Sequence, residues 1–321
     1  MSAIGYRSHR HGDAQALPEL LRVASPQDAV DEDWFAENVL LDPAFTADGL
    51  QVAEIDGRPV GFVYATAAPA GSVTGGWITL GCVHPDHRRQ GIGARLLERA
   101  VESLRTRGAA WAEVSGYPRA YFLPGVDAEA YPGAVALLRS QGFEQRYTAA
   151  AMSLDLSTYQ LPADILSLAA DRRASGYDVG AARYDDLPAV LELARTEFAP
   201  DWADAVREAL IRHGHLTRLR VVRGPDGVCG FAIFGAYRGL RERFGPFGVA
   251  GSLRGTGLGK VLLHDTLTAM RAEGAHHAWF LWTGEDSPAG HLYRRTGFTV
   301  TRRFDVMRRD LIPTSSKENS P

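Results

Sequence analysis

The stretch Phe247-Gly-Val-Ala-Gly-Ser-Leu-Arg254-Gly-Thr-Gly257-Leu-Gly259-Lys260-Val-Leu-Leu263, running on to Met270, reads as a short strand, a glycine-rich turn and an amphipathic helix. Leu258, Leu262, Leu263, Leu267 and Met270 recur at three- and four-residue spacing and so share one helical face. The turn before them carries few side chains. Backbone N–H groups at a helix start lack intrahelical partners and lie at the positive end of the helix dipole, so bare glycine there lets a phosphate approach. A Walker loop needs glycine five residues before the Gly-Lys pair and Ser or Thr after it. Arg254 and Val261 hold those positions. A dinucleotide fingerprint needs G-x-G-x-x-G, whereas Gly255, Gly257 and Gly259 give G-x-G-x-G.

Working outward, the same pattern stands upstream. In His84-Pro-Asp-His-Arg88-Arg89-Gln90-Gly91-Ile92-Gly93-Ala-Arg-Leu-Leu97, the order Arg88-x-x-Gly91-x-Gly93 matches Arg254-x-x-Gly257-x-Gly259 at an offset of 166. Each lies five residues after a valine, Val83 or Val249. An Asp-Gly hairpin precedes both. Asp56-Gly57 sits between apolar runs ending in Gly61-Phe62, and Asp226-Gly227 precedes Gly230-Phe231. After both comes a short helix closed by glycine, Ala134-x-x-x-Leu138-x-x-x-Gly142-Phe143 and Ala289-x-x-x-Tyr293-x-x-x-Gly297-Phe298. Three signals in one order make an internal repeat. The expected division is a first domain over 1–155, a linker over 156–176 with one helical turn or two, a second domain over 177–312, and a disordered polar tail over 313–321.

Size agrees, since 321 residues suit two domains of about 150 residues. The net charge of −3, with charges interspersed, gives no basic face for nucleic acid, and no run of 18 apolar residues exists for a membrane span. The start, Met1-Ser-Ala-Ile-Gly-Tyr-Arg, lacks the apolar core of a secretory signal, so a cytoplasmic location is expected. Cys82 and Cys229 read as reduced thiols. His213, His215, His276 and His277 lack further ligands at metal spacing, so no metal is expected.

The element order in each half is a strand, two helices, three strands, a helix, a strand, a helix and a strand. With the Arg-x-x-Gly-x-Gly pattern it resembles the GNAT acetyltransferases, twice over. The resemblance implies two tandem α/β GNAT folds, each a mixed, mostly antiparallel sheet flanked by helices with a splayed central strand. It implies acetyl-coenzyme A as cosubstrate and a small-molecule amine as acceptor. The pantetheine arm would pair with backbone groups of Phe247, Gly248 and Val249, and in the first copy of Gly81, Cys82 and Val83. The pyrophosphate would sit on the amides of Arg254, Gly255, Thr256, Gly257, Leu258, Gly259 and Lys260. Its counterparts in the first copy are Arg88, Arg89, Gln90, Gly91, Ile92, Gly93 and Ala94.

Direct transfer has two proton steps, since the acceptor ammonium must lose a proton and the departing thiolate must gain one. In many GNAT enzymes a tyrosine on the helix after the splayed strand protonates the thiolate, and Tyr293 stands in the matching place. The first copy has Leu138 there, which makes the second copy the expected catalytic one. Tyr121 or Tyr131 is the possible substitute in the first. Glu285 and Asp286, at the end of the strand before Tyr293, and Glu242, before the central strand, are candidates for the acceptor's base. The first copy also carries an 11-residue surplus around Tyr121-Phe-Leu-Pro-Gly-Val-Asp127-Ala-Glu129-Ala-Tyr131-Pro, fit to line a polar pocket or to pack on the surface. With the aromatic runs of the second copy it resembles bacterial tandem proteins that include glucosamine and glucosaminide N-acetyltransferases. The alternatives are a thiol-precursor amine, an amino acid or a protein N-terminus as acceptor, and, in another class, an acyl-CoA-binding module without turnover. A monomer or a homodimer fits equally.

Overall fold

The computed structural model describes residues 3–67, 75–119 and 123–312. The chain divides into two compact units, residues 1–149 with 303–321, and residues 150–302. These do not coincide with the linear halves expected from the repeat. The division falls inside two long strands, β6 (Glu144–Asp155) and β12 (Thr299–Asp310). Each gives one end to one unit and the other end to the other.

In unit 1 the strands β1 (Ile4–Ser8), β2 (Leu50–Ile55), β3 (Arg58–Ala67) and β4 (Gly75–Val83) form an antiparallel run. The β2–β3 turn is the expected Asp-Gly hairpin, with Asp56 at φ 49° and Gly57 at φ 76°. Those positive angles suit a tight turn that follows the strand twist. β5 (Trp111–Val114) joins β4 in parallel, and the far side of β5 is covered by Met307 to Asp310 of β12. Helix α3 (Ile92–Thr106) buries Ile92, Leu96, Leu97, Ala100, Val101 and Leu104 on one face of this sheet. α1 (Asp13–Ala24) and α2 (Glu32–Phe35) cover the other, with Leu17, Phe35 and Val39 against Phe62 and Tyr64. α4 (Pro132–Ser140) places Leu138 in the same core as α3.

Unit 2 repeats this plan. α5 (Ala163–Ala174) leads into the antiparallel strands β7 (Asp178–Ala181), β8 (Leu219–Gly224), β9 (Gly227–Phe234) and β10 (Phe244–Val249). α6 (Leu187–Leu193) and α7 (Pro200–His213) pack on one face through Val190, Ala203 and Val206. α8 (Leu258–Ala272) packs on the other through Leu258 and Leu262. β11 (His277–Thr283) pairs antiparallel with Ala150 to Asp155 of β6, and α9 (Pro288–Thr296) precedes β12. The segment expected to hold one or two helical turns is a 12-residue helix, α5. Pro162, which reads as a breaker, stands at its N-cap, where its missing N–H costs nothing.

The strand exchange carries a prediction. Phe304, Val306 and Met307 are fully buried and belong to unit 1 although they lie at the end of the chain. Burying three such side chains is worth about 5–9 kcal/mol, a large part of the about 5–15 kcal/mol that holds a domain folded. A fragment of residues 1–155 is therefore expected to lack a cooperative urea transition by circular dichroism. A sharp two-state transition in that fragment would show that β12 is dispensable.

Candidate active site

In each unit the central strand parts from its parallel neighbour. β4 and β5 stay paired from Gly75/Trp111 to Ile78/Val114. The Ser115 N–H then donates to the Ile78 carbonyl at 2.9 Å, and past that point β4 has only β3 beside it. In unit 2 the contact is shorter still, a single Arg243–Trp279 bridge with the Trp279 N–H on the Glu242 carbonyl at 2.9 Å. From Phe244 onward β10 is an edge.

The alternation of strand hydrogen bonds fixes which backbone groups face the gap. The Ala250 N–H donates to the Cys229 carbonyl of β9 at 2.8 Å, and Gly248 lies opposite Phe231 of that strand. Phe247 and Val249 therefore turn their N–H and C=O outward, while Gly248 turns its own toward β9. The sequence reading that gave all three to the cosubstrate is corrected for Gly248. Its role is steric, because a Cβ there would lie 2.4 Å from the Phe198 ring. In unit 1 the His84 N–H on the Val60 carbonyl at 2.8 Å sets the same phase, so Gly81 and Val83 face outward and Cys82 does not.

Beyond each open edge the glycine loops repeat in backbone detail. Arg89 and Gly91 have φ 62° and 80°, and Gly255 and Gly257 have φ 81° and 84°. The N–H groups of Gly255, Gly257 and Gly259 donate to no acceptor among the described residues, nor do those of Arg89, Gly91 and Gly93. Unsatisfied amides clustered at a helix start suit a phosphate group. Thr256 and Leu258 are turned inward, with the Thr256 hydroxyl on the Leu253 carbonyl at 2.7 Å. Arg254 and Lys260 are exposed. Arg88 is tied back to the Val83 and Ala24 carbonyls at 3.2 and 3.0 Å, and Gln90 is exposed. Ile92 is an anchor, 1% exposed in the core. The loops also differ in their neighbours. Gly91 has nothing within 4 Å of a notional Cβ, whereas Gly257 has Leu168 of α5 at 3.0 Å.

Tyr293 is 7% exposed and its ring centroid lies 4.5 Å from Phe280, 5.4 Å from Phe298, and 6.0 Å from both Phe244 and Phe247. Phe247 belongs to the open edge, so the phenol stands beside the gap. Its hydroxyl makes no hydrogen bond to the described residues, and burial raises its pKa above the usual phenol value. It remains a proton donor at neutral pH.

The carboxylates singled out from the sequence each have a partner. Glu285 and Asp286 both pair with Arg294, at 3.2 and 3.4 Å, and Asp286 is 94% exposed. Glu242 accepts the N–H groups of His276 and His277 at 2.9 and 3.3 Å. In unit 1, the matched position on α4 holds Leu138, buried in the core. Tyr121 lies outside the described residues, and the Tyr131 hydroxyl donates to Asp28 at 2.8 Å. The surplus segment is knitted into unit 1, with Val126 and Asp305 exchanging backbone bonds at 2.8 and 2.9 Å and Asp127 capping Glu129 and Ala130.

A polar group that the sequence reading missed lies beside the unit 1 apex. Asp42, 4% exposed, accepts the hydroxyls of Tyr64 at 2.7 Å and Tyr117 at 2.9 Å, and the Ala44 N–H at 3.0 Å. Nothing local in the sequence links residues 22 and 75 positions apart.

A splayed strand pair leading into a glycine loop is thus present in both units. The family model described as "Acetyltransferase (GNAT) family" matches residues 15–143 and again 187–298, and the chain belongs to that family with two of its domains. Streptothricin acetyltransferase of Streptomyces lavendulae is 38% identical over 85 residues, 26% of this chain and 44% of that protein. Among solved structures, the glucosamine N-acetyltransferase region of a fungal multi-domain GH3 β-N-acetylglucosaminidase superposes at TM-score 0.81 and 20% identity, over 96% of this chain and 38% of that one. A tandem GNAT protein from the clavulanic acid biosynthesis pathway gives 0.64 at 19% identity, over 97% of this chain and 100% of that one. This chain thus matches less than half the length of the first two. Among the described residues no helix is long and apolar enough to cross a membrane.

Proposed function

We propose that the chain transfers the acetyl group of acetyl-CoA to the primary amine of a small molecule, an amino sugar by preference, with the reaction in the second copy. The observation that carries this reading is Tyr293, a buried phenol beside the open edge of β10 whose hydroxyl has no acceptor among the described residues. The hydroxyl is not among the buried atoms left without a partner, so it is open to a new one, and a departing thiolate at the gap supplies it. Phe247 and Val249 would pair with the pantetheine arm, and an outward N–H of the strand would polarise the thioester carbonyl as charge develops on its oxygen. Gly255, Gly257 and Gly259 would hold the pyrophosphate. The preference for an amino sugar draws support from the glucosamine N-acetyltransferase region, and acetylation of a small molecule from the streptothricin relative, each by its name.

The balanced reaction begins with an ammonium that gives one proton to a base. The neutral nitrogen attacks the thioester carbonyl carbon, the C–S bond breaks, and the thiolate takes the Tyr293 proton. The nitrogen's surplus proton restores the phenol. Purified protein with acetyl-CoA and a panel of amines, followed by free thiol release, tests the proposal. Release with glucosamine or a related amino sugar is expected. Release only with amines of another class would remove the amino-sugar preference, and none with any amine would remove the transfer itself.

A further inference from the structure

The two copies carry different side chains where the central strand leaves its neighbour. In unit 1 Trp77 of β4 lies beside Glu113 of β5, and at the same offset of 166 unit 2 has Arg243 beside Trp279. Arg243, 5% exposed, lays its guanidinium 4.7 Å over the Trp279 ring, so unit 2 supplies a cation of its own. Unit 1 has a carboxylate in this pair and no cation bound to it. Glu113 makes no hydrogen bond or ion pair with the described residues, and its oxygens are not among the buried polar atoms without a partner, so they are accessible. Arg308, its neighbour on β12, lies instead 4.1 Å over the Trp111 ring and 3.7 Å from Asp310.

The alternation of β5 directs this carboxylate. Ala112 and Val114 pack in the core with α3, so Trp111 and Glu113 face the other side of the sheet. There the Glu113 side chain reaches just past the strand end. Its Oε1 stands 2.5 Å from where a Cβ of Gly116 would lie, and the Pro124 carbonyl oxygen is 3.6 Å from the same point. Gly116, at φ 54°, thus leaves open a space that a side chain would fill, one residue beyond the Ser115 N–H that closes the β4–β5 ladder. The Pro124 carbonyl accepts no hydrogen bond from the described residues either. Two acceptors therefore converge with no donor between them. Beside them the Trp77 ring lies 5.3 Å from Trp111 and 5.4 Å from Tyr117, and all three rings are partly exposed. Indole faces attract a cation.

We propose that Glu113, the Pro124 carbonyl and the indoles of Trp77 and Trp111 form a site in unit 1 for the primary ammonium group of a small molecule. This goes beyond the acetyl transfer assigned to the second copy, since it places an amine in the copy that has Leu138 in place of the phenol. An ammonium carries three donors and a positive charge, enough to satisfy the carboxylate and the carbonyl together. The charge environment agrees. Burial pushes the Glu113 carboxyl up, against the pull of the Arg308 and Arg146 guanidiniums. A half-buried carboxylate held above its usual range is short of positive charge at close range, and a bound ammonium restores it. An N-acetylated amine brings one N–H and no charge, so the site favours the free amine over its acetylated form.

The test uses the full chain labelled with 5-fluorotryptophan and followed by fluorine NMR without acetyl-CoA. The chain has six tryptophans, and Trp77→Phe and Trp111→Phe assign the two resonances at the site. Glucosamine is expected to shift both in a saturable way, and N-acetylglucosamine, which lacks the ammonium, to shift neither over the same concentrations. Glu113→Gln keeps the shape of the side chain and removes its charge, and it should weaken glucosamine binding at these resonances about tenfold to a hundredfold, the range for loss of a hydrogen bond to a charged group. Unchanged Trp34 and Trp202 resonances show that the variant is folded. Equal shifts with the two sugars, an affinity unaltered in Glu113→Gln, or no shift at Trp77 and Trp111 with glucosamine overturns the assignment. Because binding is read without the cosubstrate, a wild-type chain that shows the shifts and releases no thiol with any amine loses the proposed reaction and keeps this site.

Discussion

Gly257→Glu is expected to abolish acetyl transfer, and Gly91→Glu to cost much less. The two positions share a backbone conformation, φ 84° and φ 80°, so both variants bear the same left-handed strain of about 1–2 kcal/mol. What differs is the consequence. Each new carboxylate stands where a pyrophosphate would approach the amides. One unit charge against another at 4 Å is worth about 4 kcal/mol in a medium of effective permittivity near 20, or about a thousandfold in affinity. That penalty reaches turnover only in the copy that carries out the chemistry. The Gly257 site has Leu168 at 3.0 Å from the added Cβ, but the contact is the far end of a flexible side chain, which can turn away. Thiol release assayed with saturating amine, beside thermal melts of both variants, reads the difference. Equal losses from the two substitutions would sink the assignment of catalysis to the second copy.

How much the sequence disclosed depends on the range of the interactions involved. Asp56-Gly57, the Arg-x-x-Gly-x-Gly loops and Gly297 closing α9 are local devices in which one residue type answers one backbone requirement, so they were readable in order. The exchange of β6 and β12 was not. A copy's last strand satisfies the same ladder bonds and carries the same alternation whichever β5-like neighbour it joins, and no residue of Phe304 to Met307 announces the choice. Helix α5 was underestimated because Pro162 and the Asp171-Arg172-Arg173 run look like a polar linker, although Ala, Leu and Arg are strong helix formers. At the site, Tyr293 was found because the repeat exposed a difference at one matched position. For the base, the end of β11 offers Glu285 and Asp286, which both stand beside Arg294. Asp42 is not legible because the phenols it binds, Tyr64 and Tyr117, lie 22 and 75 positions away.

Tyr293→Phe is expected to lower kcat by about a hundredfold to a thousandfold, the range for loss of one proton-transfer group, with acetyl-CoA binding retained. The substitution removes one oxygen from a ring held by Phe244, Phe247, Phe280 and Phe298. The remaining ring keeps those contacts. The lost hydroxyl has no partner among the described residues, so its removal strands no buried donor or acceptor, and the change in stability should stay within about 1 kcal/mol. An interaction made only as the thiolate departs lowers kcat and kcat/KM together and leaves ground-state binding alone. A structural role for the hydroxyl gives the opposite pattern, a lowered melting temperature with turnover per folded molecule unchanged. A chain that only binds acyl-CoA gives neither, since it has no turnover to lose. Titration of acetyl-CoA by calorimetry, paired with single-turnover thiol release on wild type and variant, separates the three outcomes. A Tyr293→Phe chain with wild-type kcat would end the case for this phenol as the acid.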